Sequence, residues 1–296
     1  MDALLYLVAR TLVALLQALP LDGVARLGRA GGALAYWLDA RHRRVARRNL
    51  QNCFGQEKSA AELRAIAREN FRRLGENFAS AVKTAAMTTE QLRPHVDFVG
   101  AEKLLEHKSN RGPQSLIIAV GHFGNFELYA RFGEFVTEFQ IATTYRGLRQ
   151  PSLNRLMQSL RERSSCRFFE RRTEAAALRA AMRDTGLLMG FLADQHAGDR
   201  GLRLPFFGRD CSTSAAPAVF ALRYRCPLHT AICYRTGPAH WRIEVGDEIP
   251  TDEHGHPRSP EAISADINRA FEAAIRRDPA NWFWVHNRWK PDKPKT

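Results

Sequence analysis

The stretch QSLIIAVGHFGNFELYA, residues 114–130, decides the fold. Its core, LIIAV, has no polar interruption, and a strand can be apolar at every position only if both its faces are covered. Gly121 ends the run, His122 follows, and NFELYA starts a helix. A doubly covered strand that turns straight into a helix is the building unit of an α/β sheet.

The alternation continues outward from this unit. Upstream, residues 59–86 predict a long amphipathic helix, with Leu63, Ile66, Ala67, Phe71, Leu74 and Phe78 at three- and four-residue intervals. RPHVDFVGAEKLLE predicts a short strand, a break at Gly100 and a helix. Downstream, QIATTYRG, RFFE, LLMGFLAD, PLHTAICYR and HWRIEVGDEI read as strands. PSLNRLMQSLRERS, TEAAALRAAMRDTG, APAVFALRYRC and SPEAISADINRAFEAAIRRDP read as helices between or after them. The expected fold is α/β, a central mostly parallel or mixed sheet flanked by helices. KPDKPKT at the end reads as a frayed tail.

An apolar fraction of 45% and a charged fraction of 25% over 296 residues are those of a globular chain. The formal charge of +13 points to an anionic partner. The five cysteines (Cys53, Cys166, Cys211, Cys226, Cys233) form no CxxC pair and no zinc-ligand spacing, which fits a reducing compartment.

The opening MDALLYLVARTLVALLQALP is almost wholly apolar but carries Arg10 and Gln17. It lacks the basic start and cleavage site of a secretory signal, and its length is marginal for a full crossing. It reads as a short membrane-anchoring helix, spanning or lying in the interface; the alternative is a buried first helix. DARHRRVARRNL then sets Arg41, Arg43, Arg44, Arg47 and Arg48 in a short helical stretch. Basic residues beside an apolar segment fit the cytoplasmic face of a membrane; a solvated helix face or an RNA-binding arm are the other readings. No aromatic–basic interleaving or nucleic-acid module accompanies them, so no nucleic-acid partner is expected. The organisation expected is an N-terminal membrane-anchor helix over residues 1–22 and an α/β domain over residues 23–296, with a basic helical lead-in over residues 41–86.

In such sheets functional residues lie just past the carboxyl ends of strands, where His122 falls. Gly121 and Gly124 permit a tight turn and the close approach of a ligand. On a regular helix a five-residue step leaves two side chains ~140° apart. His122 and Glu127 therefore meet only if His122 lies in the turn and Glu127 in the first helical turns. Glu127 would then accept a hydrogen bond from one imidazole nitrogen and leave the other as a base. Free amides at the helix start favour an anion nearby. The bland reading is a packing and capping pair at an ordinary corner. No serine elbow and no HExxH is present, so serine hydrolysis and zinc proteolysis are not indicated. Acyl transfer to a hydroxyl suits a lone general base.

VGHFGNFEL resembles the H-x4-E/D motif of the lipid A biosynthesis acyltransferase family, within the lysophospholipid acyltransferase-like superfamily. The resemblance covers nearly the whole chain. RRVARRNLQNCF, TTYRGLRQPSLN, GFLADQHAG, LPFFGRDCSTSAAPA and NWFWVHNRWK are similar to its successive blocks. It implies an O-acyltransferase that moves a fatty acyl chain from acyl carrier protein to a hydroxyl of an anionic glycolipid, at the cytoplasmic face of the inner membrane. It also implies His122 as base, Glu127 as the residue that orients it, and no metal or organic cofactor. On the same resemblance Arg146 holds a phosphate or polarises the thioester oxygen, while Asp194 and Gln195 shape the site. Arg203 and LPFFG line a head-group or acyl channel, and Phe206 and Phe207 are equally core or membrane-contact residues. Arg146 as a surface arginine, and Asp194 and Gln195 as structural hydrogen-bonding groups, are the alternatives. His286 and Arg288 are expected to be structural. His196 departs from the Asp-Gln block. Another lipid acceptor, such as a lysophospholipid or an aminolipid, is the runner-up, and a non-catalytic basic binding protein is the competitor from a different class.

Overall fold

The computed structural model describes residues 2–109, 112–183 and 186–290; the last six residues of the expected tail lie outside them. The expected strands appear: β1 (Val96–Val99), β2 (Leu116–Val120), β3 (Gln140–Tyr145), β4 (Arg167–Glu170), β5 (Leu187–Leu192), then β8 (Leu228–Gly237) and β9 (His240–Val245). The sequence reading missed β6 (Leu202–Phe206) and β7 (Arg209–Thr213), which pair as a separate hairpin. Its turn places Phe207 and Gly208 at positive φ.

Among the described residues, one seven-stranded sheet runs in the order β1-β9-β8-β2-β5-β3-β4. The five strands from β8 to β4 are parallel, so their carboxyl ends share one edge; β9 runs antiparallel to β8 and carries β1 with it. The fold is therefore mixed α/β with a mostly parallel sheet. β2 sits at its centre with all five residues buried. Ile117 and Ala119 join the core on one face, and Leu116, Ile118 and Val120 that on the other. The apolar run quoted above is thus two half-strands, one for each face.

Among the described residues, four long helices precede the sheet, α1 (Asp2–Ala18), α2 (Leu21–Leu38), α3 (Ala40–Phe54) and α4 (Ala60–Thr84), followed by a short helical turn, Thr89–Leu92. The single segment expected over residues 1–22 is broken at Pro20, because α2 already begins at Leu21. Gln17 ties α1 to its neighbour. Its side chain donates to the Val82 carbonyl (3.2 Å), its own carbonyl accepts from Lys83 (2.7 Å), and α1 is thereby pinned to the end of α4. α2 lies so close to α4 that a Cβ at Gly32 would sit 2.1 Å from the Phe71 carbonyl oxygen. α4 starts with a capping box, Ser59 with Glu62. Leu63, Ala67 and Phe71 are buried as its period predicts, whereas Phe78 is half exposed. α4 also buries a polar row that apolar periodicity does not reveal: Asn70, Glu76, Asn77, Ser80 and Thr84. Glu76 is wholly buried and receives Arg235 Nε (2.7 Å), Arg29 Nη1 (3.3 Å) and the Ala239 amide (3.0 Å), the pairing a buried charge requires.

No helix among the described residues is long and apolar enough to cross a membrane. Leu4, Leu7, Leu12 and Leu15 of α1 and Leu27, Leu34, Trp37 and Leu38 of α2 are exposed all the same, and exposed Arg41, Arg44, Arg47 and Arg48 follow on α3. The later helices α5 (Pro151–Arg161), α6 (Ala175–Ala181), α7 (Ala216–Tyr224) and α8 (Pro260–Arg277) complete the layers around the sheet.

Candidate active site

Three side chains come together at the carboxyl edge of the parallel strands. His122 lies two residues beyond β2, and Asp194 two beyond β5, its neighbour in the sheet. Asp194 Oδ1 is 2.8 Å from His122 Nδ1, and Oδ2 accepts from the His122 amide (2.9 Å) and from the Trp282 indole (2.8 Å). Asp194 is 1% exposed. Burial pushes its carboxyl up, but the His122 ring and amide and the Trp282 indole outweigh that and hold it down at about 2. A carboxylate therefore faces Nδ1, which fixes the proton there and leaves Nε2 as the basic nitrogen. Phe126 and Phe283 flank the ring, at centroid distances of 4.8 and 5.7 Å.

The expected His122–Glu127 hydrogen bond is replaced by this one. Residues Phe126–Glu134 form a 3-10 helix, not an α-helix, and Glu127 turns to Arg161 at the end of α5. Glu127 Oε1 accepts from Arg161 Nη2 (2.9 Å) and Oε2 from Nε (3.3 Å). The same guanidinium lies over the rings of Phe168 (5.0 Å) and Tyr145 (5.8 Å). The motif glycines make room for protein, not ligand: a Cβ at Gly121 would meet the Phe123 ring at 2.5 Å, and one at Gly124 the Cys233 carbonyl at 2.5 Å. Gly124 is also at positive φ, +51°.

The C-terminal segment builds the site from behind. Asn70 Nδ2 donates to the carbonyls of Ala280 (2.9 Å) and Trp282 (2.6 Å), and Asn49 Nδ2 to those of Trp284 (2.9 Å) and His286 (2.8 Å). Trp282 is thereby held against Asp194. His286 Nε2 accepts from the His196 amide (3.1 Å), and burial pushes its ring down to about 4, so it is neutral. Arg288 is fully buried and donates to the carbonyls of Gln195 (3.2 Å) and Ser212 and to Thr213 Oγ1 (2.9 Å). His286 and Arg288 thus have the structural bonding expected of them, although His286 also reaches the groove wall.

A broad groove opens above His122. Glu127, Arg146, Gln195, His196 and His286 line it, and so do Arg161, Arg171, Arg179 and Arg223. Its acids, Glu127, Glu170 and Glu174, are partly committed: Glu127 to Arg161, Glu170 to the backbone amides of Arg172 and Thr173. The groove is accordingly electropositive. Arg203 is not in its wall; it projects from the exposed side of β6. Phe206 is core and Phe207 half-buried.

Below the Glu127–Arg161 pair lies an apolar cavity under the sheet. Ile118 and Val120 of β2, Leu188 and Gly190 of β5, Ala231 of β8 and Phe132 line it. Phe126, Glu127, Tyr145 and Arg161 belong to the walls of both groove and cavity, so the two spaces adjoin at the ion pair. All five cysteines are free and buried, with Cys166 pushed up to about 12 by burial, and none has the environment of a nucleophile. Sequence reasoning missed Trp282, Arg161, Phe126 and Phe283 here. Only the spacing of Arg161 after the α5 proline and the aromatic density of NWFW hinted at them.

Comparison with known proteins finds relatives over nearly the whole chain. The family model described as bacterial lipid A biosynthesis acyltransferase matches residues 2–291. The lipid A biosynthesis palmitoleoyltransferase of Escherichia coli (strain K12) is 27% identical over 280 residues, 92% of this chain and 86% of that one. The lipid A biosynthesis myristoyltransferase of the same organism is 25% identical over 280 residues, 92% of this chain and 81% of that one. The chain belongs to the bacterial lipid A biosynthesis acyltransferase family.

Proposed function

We propose that this protein is a membrane-associated O-acyltransferase that moves a fatty acyl chain from acyl carrier protein to a hydroxyl of a lipid A precursor. The observation that carries the reading is the His122–Asp194 pair, set at a strand end between an electropositive groove and an apolar cavity. His122 Nε2 takes the acceptor hydroxyl proton as the oxygen attacks the thioester carbonyl. The carbon–sulfur bond then breaks, and the imidazolium returns the proton to the leaving thiolate. Asp194 orients the ring and stabilises its transient charge, the role first expected of Glu127. Glu127 is a positioning residue that holds Arg161 at the junction of groove and cavity. The acyl chain lies in the cavity, and the phosphorylated head group lies among the groove arginines, Arg146 included. The step draws on the two substrates and these side chains, with no organic cofactor.

Exposed leucines on α1 and α2, with the arginines of α3 beside them, support docking in the interface of an anionic membrane. Acidic acyl carrier protein suits the chain's basic surface. The test is acyl transfer by purified protein from acyl carrier protein thioesters to a lipid A precursor, read by mass spectrometry. Lysophospholipid and aminolipid acceptors are run in parallel. Product from the wild type and none from folded His122→Ala is expected. Undiminished transfer by that variant would sink the mechanism, and product only on another acceptor would replace the substrate.

A further inference from the structure

Away from the groove, His107, His229 and Glu248 bring one ligand atom each to within 4.8 Å of the others. His107 follows a short helix, Glu102–Leu105, after β1; His229 is the second residue of β8; Glu248 lies in the loop after β9. Their Nε2 atoms, His107 to His229, are 3.2 Å apart, and His107 Nε2 is 3.6 Å from Glu248 Oε2. We propose that these three side chains bind a divalent transition-metal ion of the zinc class, as a structural clip across three segments.

The distances carry the argument. Zinc–nitrogen bonds of 2.0–2.1 Å at a tetrahedral angle place two ligand nitrogens ~3.3–3.4 Å apart. The observed pair needs almost no adjustment. His229 Nδ1 donates to the Gly246 carbonyl (3.1 Å), so its bare lone pair is on Nε2, turned toward His107. A backbone carbonyl on the far nitrogen is the usual outer support of a metal-bound imidazole. His229 is 2% exposed, so the two imidazoles and the Glu248 carboxylate converge where the packed interior meets the surface. The neighbouring ammonium of Lys103 is engaged by Asp247 at 2.6 Å. Two imidazoles and a carboxylate suit zinc, with the fourth position left for water on the exposed side of Glu248.

The test uses the full chain, stripped with a chelator and titrated with Zn²⁺, and separately with Co²⁺ to read visible absorption of a tetrahedral site. One equivalent is expected, with a rise in the unfolding midpoint. His107→Ala and Glu248→Gln should each weaken it tenfold or more, and His122→Ala should retain it. Both tested ligands are at least partly exposed, so folding is preserved and can be checked by circular dichroism. No binding by the wild type, unchanged binding by His107→Ala and Glu248→Gln, or loss in His122→Ala would each overturn the assignment.

Discussion

Asp194→Asn probes the site most sharply, because the substitution keeps the shape and alters only what each atom can accept. Three donors converge on two carboxylate oxygens: the His122 amide and the Trp282 indole on Oδ2, and His122 Nδ1 on Oδ1. Asparagine has one acceptor oxygen. Placed at the Oδ2 position it keeps two bonds and turns its NH2 to Nδ1. That contact is favourable only if Nδ1 is bare and Nε2 carries the proton, which blocks the base. The opposite orientation sets an NH2 against two N–H donors, and each buried group left unmatched costs ~1–3 kcal/mol. The blocked tautomer is therefore preferred by enough to remove 90–99% of the competent form. Loss of the negative charge beside the forming imidazolium adds ~4 kcal/mol at an effective dielectric of ~20, a further ~1,000-fold at ~1.4 kcal/mol per tenfold. Together the expected loss in kcat is ~10,000-fold or more, comparable with the same change in a serine-protease triad. KM should barely move, because Asp194 is buried behind His122. Single-turnover acyl transfer with circular dichroism as the folding control reads the effect. A folded Asp194→Asn within tenfold of wild type would refute the assignment of tautomer and base.

Asn70→Ala deletes two buried hydrogen bonds to the segment that seats Trp282; it should lower stability by ~1–3 kcal/mol in urea unfolding and reduce transfer as well. The native ring of His286, held down at about 4 against an ordinary 6.5, binds fewer protons than the unfolded chain between those values. Its contribution to stability is complete above pH 6.5 and lost as pH falls toward 4, so His286→Gln should flatten the wild-type fall in Tm across that window. Leu7→Asp with Leu12→Asp should release the protein from anionic vesicles in flotation assays with transfer to detergent-dispersed acceptor retained, whereas Arg44→Glu with Arg47→Glu should weaken binding most at low salt.

The strands and helices were legible where one period dominated. LIIAV announced a central strand, and α4 was visible in Leu63, Ala67 and Phe71. The hairpin of β6 and β7 was not, because RLPFFG places a proline and two aromatics where an alternating pattern was needed. Within the site, His122 could be placed at a strand end from sequence alone. Its partner could not: Asp194 is 72 residues away and comes alongside only because β2 and β5 are sheet neighbours. Glu127, close in sequence, was drawn off by Arg161 34 residues later, since a 3-10 turn aims it along a different direction than an α-helical one. The polar row of α4 was hidden because its partners are backbone carbonyls and remote arginines, which leave no periodic trace.

The asparagine clasps on the segment behind Asp194 also bear on how the molecule refolds. They join residues 210, 212, 235 and 237 positions apart, among the longest separations the chain allows. Contacts of that span form only after the intervening chain is already ordered, because loop closure must come first. An ensemble with its helices and most of its sheet in place would still lack a seated indole and a fixed imidazole tautomer. On refolding from denaturant, transfer activity should return later than the far-ultraviolet signal, and Asn70→Ala should lengthen that lag.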